Sequence, residues 1–543
     1  MRLIAELKRR KVFQTAAIYA ASAWVLLQVA DLLLGMLEVP PWGLKLVFVV
    51  LLVGFPLALV LSWMHRMTPE GVKREVPLPE LPPIDAAPPM AVSDHSIAVL
   101  PFDNMSEDPA NAHFADGLSE ELLNLISRIP GLRVVGRTSS FSFRGRSVGA
   151  AEISRELRVS HLLDGSVRKA GQRLRITAQL VRGSDGSHVW SRSFDRDLSD
   201  VFAVQDEIAA AVAEELEVEL LGRATPRSRQ TDPDAYAHYL RGRHFFELAS
   251  AATYPQAIAE FEAALAIDPK FAPAWATLGA LHFSAANNSL IAYDEGARRA
   301  REYSEKALKL DPNLAEPMAM LGYFDLIEGL DHDGGWRRVR RAHEIEPNNP
   351  RILTRMANIA ARESRLEEAH EYCRRALEAD PLSPLVHAVY GNTCYFAGAL
   401  EKAEAARRKV LALSPGWLSG HYYLGLILLA RHDGPSALAE MQQEQSTFWR
   451  LTGLAVANSL LGRGAEADAA LAEFRQLDPG GATYQLAMVH ACRGEIDEAF
   501  HALERAGATH DAGLNFARVD PLLARLHADP RWPAFLAKYG LGR

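Results

Sequence analysis

At 543 residues the chain is long for one domain, and length alone suggests roughly three or four. Its 48% hydrophobic and 23% charged content is that of a folded protein, and a net charge of −8 argues against a chain-wide nucleic-acid footprint. Cys373, Cys394 and Cys492 are too few for a disulfide framework, and no two lie at the short spacing of a zinc-ligand pair.

Two apolar stretches open the chain. Residues 16–34 are apolar apart from Gln28, Asp31 and small hydroxyls, and residues 44–63 carry no charge after Lys45. Each has about the 20 residues needed to cross a bilayer. Trp42 and Trp63 fall near segment ends, where an interfacial indole is favoured. The first stretch is too long for a signal-peptide core and a second follows at once. Arg2, Lys8, Arg9, Arg10 and Lys11 precede the pair, Arg66, Lys73 and Arg74 follow it, and the short connection offers only Lys45, so both ends are expected on the cytoplasmic side. Asp31 lies near a span end and is read as reaching the interface. Residues 1–66 are therefore expected to form a transmembrane α-hairpin.

Residues 67–94 hold Pro69, Pro77, Pro79, Pro82, Pro83, Pro88 and Pro89, the composition of a semi-rigid spacer. The pattern then becomes mixed α/β over 95–222. A buried strand at 96–102 (SIAVLPF) precedes a helical stripe of Leu118, Leu122, Ile126 and Ile129, with Asp116 as its cap candidate. A strand at 132–135, a helix at 151–157 and a strand at 162–168 follow. After a turn at Gly171, Leu174, Ile176, Ala178 and Leu180 alternate onto one face; a turn at 183–186 leads to a strand at 189–194. Val201, Val204, Ile208, Val212, Leu216 and Leu220 form the stripe of a closing helix. In this region Arg137, Arg144 and Arg146 flank TSSFSFRGR, where Phe141 and Phe143 alternate with polar residues. Because arginine presents a planar donor fork, these three are candidate contacts for a partner or an anionic ligand. The alternative is an edge strand guarded by charge.

Over residues 232–515 the chain repeats itself. Pro347, Pro381 and Pro415 stand 34 residues apart, the period of the tetratricopeptide helix-turn-helix unit. Ala257, Phe261 and Ala264 occupy one unit's small and aromatic positions; Trp275, Leu278 and Gly279 open the next as W-x2-L-G. Leu321-Gly322, Ala369, Ala376, Tyr390-Gly391, Ala403, Leu424-Gly425 and Ala437 keep the frame. About nine extra residues fall near 285–294, and the stretch from Pro415 to Pro479 fits two units, one degenerate around Trp449 and Ala467. Small residues let helices approach closely, so each pair buries its face only against neighbours and an array with a concave groove follows. The three cysteines fall at packing positions and read as small buried hydrophobes. Residues 516–543 lose the frame and read as a terminal cap.

IAVLPFDNMSEDP, FADGLSEELLNLISRIPGLRVVGRTSSFSFRG, HLLDGSVRKAGQRLRITAQL and FDRDLSDVFAVQDEIA resemble the TolB N-terminal or FlgO-like domain of bacterial membrane proteins, in which tetratricopeptide repeats follow. ELKRRKVFQTAAIYAASAWVLLQVAD and GFPLALVLSW resemble that family's double-span N-terminus. The resemblance implies a bacterial inner membrane location. Relatives often carry an adenylate cyclase, a protein kinase or a winged-helix domain ahead of the shared part. With eleven residues before Val12, no such output domain is expected here, nor is the propeller of full TolB.

No phosphate loop G-x-x-x-x-G-K-[ST], G-x-G-x-x-G, H-E-x-x-H or G-x-S-x-G occurs, so no catalytic, cofactor-binding or metal-ligating residue is assigned and no enzyme is expected. Arg337, Arg338, Arg340 and Arg341 read as a solvated helix face. The expected fold class is multidomain: a transmembrane α-hairpin, a mixed-sheet α/β middle domain and an all-α tetratricopeptide solenoid. The expected function is a membrane-anchored adaptor that binds proteins or peptides in the solenoid groove, without nucleic acid, its soluble domains cytoplasmic. Two alternatives stay open: a signal-responsive regulator docking to a separate cyclase, kinase or transcription factor, and a periplasmic C-terminal region.

Overall fold

The computed structural model describes most of residues 95–541 and, ahead of them, Gln28, Leu51, 65–68 and 71–74. The chain divides into two compact units, Met1–Pro83 and Ile84–Arg543. In the first, β1 (His65–Thr68) and β2 (Gly71–Arg74) pair antiparallel, His65 opposite Arg74 and Thr68 opposite Gly71, where the proline pattern predicts the start of a spacer. The two expected spans lie outside the described residues except for Gln28 and Leu51. Among the described residues no helix is long and apolar enough to cross a membrane. An 18-residue helix at Tyr293–Leu310 has the length, yet YDEGARRAREYSEKALKL is dense in charge. The expected fold class is corrected accordingly: a mostly helical, tetratricopeptide-like solenoid preceded by a small mixed sheet.

That sheet follows from the alternation in its strands. β3 (Ser96–Val99), β4 (Asp103–Asn104), β5 (Arg133–Val134), β6 (His161–Ala170), β7 (Arg173–Arg182) and β8 (His188–Asp197) take the order β5-β3-β6-β7-β8, with β4 also on β6. β3 runs parallel to β5 and β6, while β6, β7 and β8 are antiparallel. Leu174, Ile176, Ala178 and Leu180 all face inward, as the alternation predicts. They pack under α1 (Ala112–Ile126) and, after the short helices α2 (Arg137–Phe141) and α3 (Ala150–Leu157), under α4 (Val201–Glu215). Two local readings change. α1 begins about one turn before Asp116, which is therefore interior to the helix rather than its cap. The segment around Phe141 is helical rather than an edge strand, and it buries Phe143.

The solenoid comprises eight helix pairs among the described residues. They are α5 (Pro233–Glu247) with α6 (Thr253–Ile267), α7 (Ala272–Asn287) with α8 (Tyr293–Leu310), α9 (Ala315–Ile327) with α10 (His332–Ile345), and α11 (Pro350–Arg362) with α12 (Leu366–Ala379). α13 (Pro384–Phe396) with α14 (Leu400–Leu413), α15 (Gly420–Ala430) with α16 (Gly434–Gln443), α17 (Thr447–Leu460) with α18 (Gly464–Leu477), and α19 (Thr483–Arg493) with α20 (Ile496–Ala508) complete it. The extra residues of the second unit lengthen its helices and the connection between them. The long interval before Pro479 does hold two pairs, and short turns at Ala512–Phe516 and Pro521–Leu526 lead to α21 (Trp532–Lys538).

The α/β module is docked on this array rather than held apart from it. Its core runs without a break from Ile97, Leu163 and Leu180 into Tyr236, Leu240 and Phe261 of the first pair. Gly117 makes the contact between α1 and α5 possible, because a Cβ there would stand 2.2 Å from the Leu240 side chain. A second attachment lies far along the chain. Gly136 donates its N–H to the Ala379 carbonyl at 2.6 Å, Ser139 donates its N–H to the buried Asp380 carboxylate at 2.8 Å, and Leu382 N–H donates to the Ser139 hydroxyl at 2.7 Å. The module thus grips the first pair and the junction of the fourth with the fifth.

His282 stands where the repeat pattern places tyrosine, 3% exposed, its ring 5.5 Å from that of Tyr303 and neither ring nitrogen hydrogen-bonded in the structure. Burial, aided by Arg299, lowers it to about 4. A base depressed in the native state takes up its proton on unfolding, so stability is lost as pH falls from about 6.5 towards about 4. His282→Phe is expected to remove roughly 2 kcal/mol of the stability difference between about pH 7 and about pH 5. Urea unfolding at the two pH values checks this; equal pH dependence in both chains contradicts it.

Candidate functional site

Each first helix of a pair packs against the first helix of the next: α7 on α9, α9 on α11, α11 on α13, α13 on α15, α15 on α17 and α17 on α19. Successive second helices are less closely packed, so the array curves with first helices inside. The inner face is the candidate site, and α11 is its chemical centre. Ile352, Leu353, Met356, Ile359 and Ala360 fix this helix in the array. That leaves Arg351, Arg355, Asn358 and Arg362 on a separate stripe at i, i+4, i+7 and i+11.

Aromatic rings from the inner helices of the first and second pairs, α5 and α7, meet this stripe. The Arg351 guanidinium lies 5.6 Å from the ring centroid of Phe246, and that of Arg355 lies 5.7 Å from the ring centroid of Phe283. Arg362 donates from Nε to Asn515 Oδ1 at 3.0 Å. Burial lowers both Arg355 and Arg362, with Glu316 opposing at the first and Tyr323 at the second. Tyr323, from α9, is itself raised by burial and lies within the field of both arginines. Further along, Arg407 stands 4.3 Å from the Tyr423 ring centroid, pairs with Asn392 and is lowered by burial to about 10, so it remains a cation at neutral pH. Among the described residues Arg355 forms no ion pair. A partly desolvated guanidinium beside an aromatic ring is suited to a carboxylate or to another aromatic side chain.

The three arginines read as candidate contacts lie on the α/β module, each beside a carboxylate and an aromatic ring. Arg137 lies beside Glu120, with Nε 3.0 Å from Oε2, and its guanidinium is 4.4 Å from the Phe141 ring centroid. Arg144 pairs with Asp116 and lies 5.8 Å from the same ring, while Arg146 is 3.7 Å from Glu156 and 4.7 Å from the Phe143 ring centroid. The structure brings the first two together and sets Arg146 apart. Glu120 and Asp116 each also meet a base from α5: Arg243 pairs with Glu120, and His244 Nδ1 lies 3.8 Å from Asp116 Oδ2. Two nearly buried carboxylates one turn apart therefore join the module to the first repeat.

The basic run on α10 borders an open depression of about 370 Å³ lined by Arg337, Arg338 and Arg341. Arg338 pairs with Asp325 and Arg341 with Glu344 at 2.9 Å. Cys373, Cys394 and Cys492 are buried and unbridged, as expected; burial pushes Cys373 and Cys492 up to about 12 and Cys394 to about 11.

Residues 350–381 match the tetratricopeptide repeat family, which makes α11 and α12 a tetratricopeptide unit. Residues 93–211 match the family described as "HilA/YgeH-like transcriptional regulator, second domain"; the finer likeness to a TolB N-terminal or FlgO-like domain is not shown. A protein of Rhizobium meliloti (strain 1021) named "Putative adenylate cyclase 3" is 41% identical over 202 residues, 36% of this chain and 34% of that protein. The chain thus spans about a third of the length of that curated relative. Among solved structures, a thermophilic tetratricopeptide protein of Thermus thermophilus is similar at 18% identity, over 36% of this chain and 99% of that one, with a TM-score of 0.30. The human IFIT1 dimer with m7Gppp-AAAA is similar at 15% identity, over 60% of this chain and 78% of that one, with a TM-score of 0.42.

Glu120 is 4% exposed between two guanidinium groups. Glu120→Gln leaves two partly buried cations without their shared carboxylate and is expected to cost roughly 3 kcal/mol. The denaturant midpoint measures the loss, and an unchanged midpoint contradicts a structural role for this pair.

Proposed function

We propose that the chain is a non-catalytic adaptor whose inner face binds a peptide segment of a partner protein, selecting for acidic and aromatic side chains. The observation that carries this reading is Arg355: a guanidinium held by burial beside the Phe283 ring, with no ion pair among the described residues. Arg351, whose guanidinium lies 5.6 Å from the Phe246 ring centroid, stands one turn before Arg355 on the same stripe. A curved row of first helices gives a long binding surface that does not close over its ligand.

A second reading draws on the match of residues 93–211 to a transcriptional-regulator domain and on the relative named as a cyclase. In it, the same binding surface serves signalling, and the partner is a separate cyclase, kinase or transcription factor. The two readings share their surface and differ only in what it carries.

The test is an array of synthetic peptides graded in acidic and aromatic content, probed with the purified chain and with Arg355→Glu. Peptides rich in both are expected to bind, and charge reversal to weaken them at least about ten-fold, the scale of one charge-assisted contact. Binding that ignores Arg355→Glu contradicts the inner-face assignment. Formation of cyclic AMP from ATP by the purified chain contradicts a non-catalytic adaptor.

A further inference from the structure

The inner face is already touched by part of the chain itself. After α20 the backbone makes an excursion over 511–520 whose two ends are tied to one residue of α19. Tyr484 donates its N–H to Asp511 Oδ2 at 3.0 Å and its hydroxyl to the buried Asp520 Oδ2 at 2.8 Å. Asp511 also accepts from Gly513 N–H and Asp520 from Leu522 N–H, each at 2.9 Å, so both ends are closed locally. Gly513 is required at the base, because a Cβ there would stand 2.3 Å from the Tyr484 ring.

The tip of this excursion leaves its own unit. Asn515 and Phe516 reach the fourth and fifth pairs, at the C-terminal ends of their inner helices. Asn515 Oδ1 accepts from Arg362 Nε at 3.0 Å, and both residues are at least nine-tenths buried. The Phe516 ring stacks on Phe396 with centroids 5.1 Å apart and planes at 22°, and it also packs on Ala360, Ala361 and Ala369. A cap whose task ended at the last pair needs no reach across 153 residues of sequence to α11.

We infer that residues 511–520 are an internal ligand: an arm anchored at Tyr484 whose Asn515-Phe516 tip occupies one rim of the inner face and is displaced by the partner peptide. This rests on the reading of the inner face as a peptide-binding surface and adds the chemistry of its occupant. A competing peptide carries a side-chain hydrogen-bond acceptor for Arg362 followed directly by an aromatic ring for Phe396. The hydrogen-bonded anchors lie in Asp511, Tyr484 and Asp520, while Leu514 and Ala517 beside the tip are buried in the terminal core, so departure of Asn515-Phe516 has to proceed with those two side chains held or locally loosened.

The experiment uses the full chain and a fluorescein-labelled peptide of its own residues 511–520, DAGLNFARVD. With the tip removed as Asn515→Ala plus Phe516→Ala, saturable binding is expected by anisotropy, at least about ten-fold tighter than to the unaltered chain. Adding Arg362→Ala to the tip variant is expected to abolish it. Equal affinity for altered and unaltered chains, no binding to the tip variant, or indifference to Arg362→Ala overturns the proposal. Should the tip variant fail to fold, hydrogen exchange on the unaltered chain decides: amides of 513–519 are expected to exchange by local opening faster than those of α20. Exchange only through global unfolding overturns it. Binding of the unaltered chain to a second copy through exchanged arms, seen as a concentration-dependent dimer, also overturns the internal assignment. Arg355-dependent binding of array peptides is read separately, so the arm can fail while the adaptor reading stands.

Discussion

Asp380 holds one carboxylate where two parts of the chain, far apart in sequence, must agree. It ends the fourth helix pair, is almost fully buried and receives the amide of Ser139 from the short helix α2. A buried carboxylate is tolerated only when its lone pairs are satisfied, so displacement of α2 leaves an uncompensated charge. The neighbouring amides of Gly136 and Leu382 complete the match from both sides. With the shared core at Tyr236 and Leu240, this contact sets where the sheet lies on the solenoid and how far the first four pairs curve. The inner face inherits its geometry from that arrangement.

Charge is divided between two tasks across the molecule. Arg137, Arg144, Arg243 and Arg338 are matched to carboxylates of the same chain and serve cohesion. Arg355, which forms no ion pair among the described residues, is set against the Phe283 ring, where a guanidinium has donors in several directions. Burial lowers Arg355, and it lowers Arg407 to about 10, so that Arg407 remains a cation at neutral pH. An incompletely compensated cation costs stability.

Much of this architecture is legible in the sequence because repeats announce themselves. The 34-residue interval and the W-x2-L-G opening at Trp275 locate the helix pairs, and period-two alternation locates β7. What escapes is long-range. Asp380 precedes a proline at the end of a repeat and looks like any residue there; its partner is 241 residues away, and no local pattern encodes such a meeting. The arginine stripe of α11 is visible as spacing but does not stand out, since i, i+4 and i+11 positions describe most exposed helix faces equally well. Arg137 and Arg144 attract attention through their aromatic setting, yet their carboxylates lie on α1, in a separate element that no local pattern ties to them. Asn515 and Phe516 sit in and beside a stretch that reads only as a cap, where loss of the repeat frame conceals a reach back to α11 and α13.

The double attachment changes what kind of solenoid this is. An ordinary array behaves as a one-dimensional chain of units, each holding only its neighbours, and it frays from its ends. Here the first pair is tied through the α/β module to the middle, and the last pair is tied through the arm to the same middle. Fraying at either tip must therefore break contacts at the centre as well. Nearest-neighbour bookkeeping gives way to a closed loop of dependencies, and the array acquires the cooperativity of a globular domain while keeping the open face of a repeat protein.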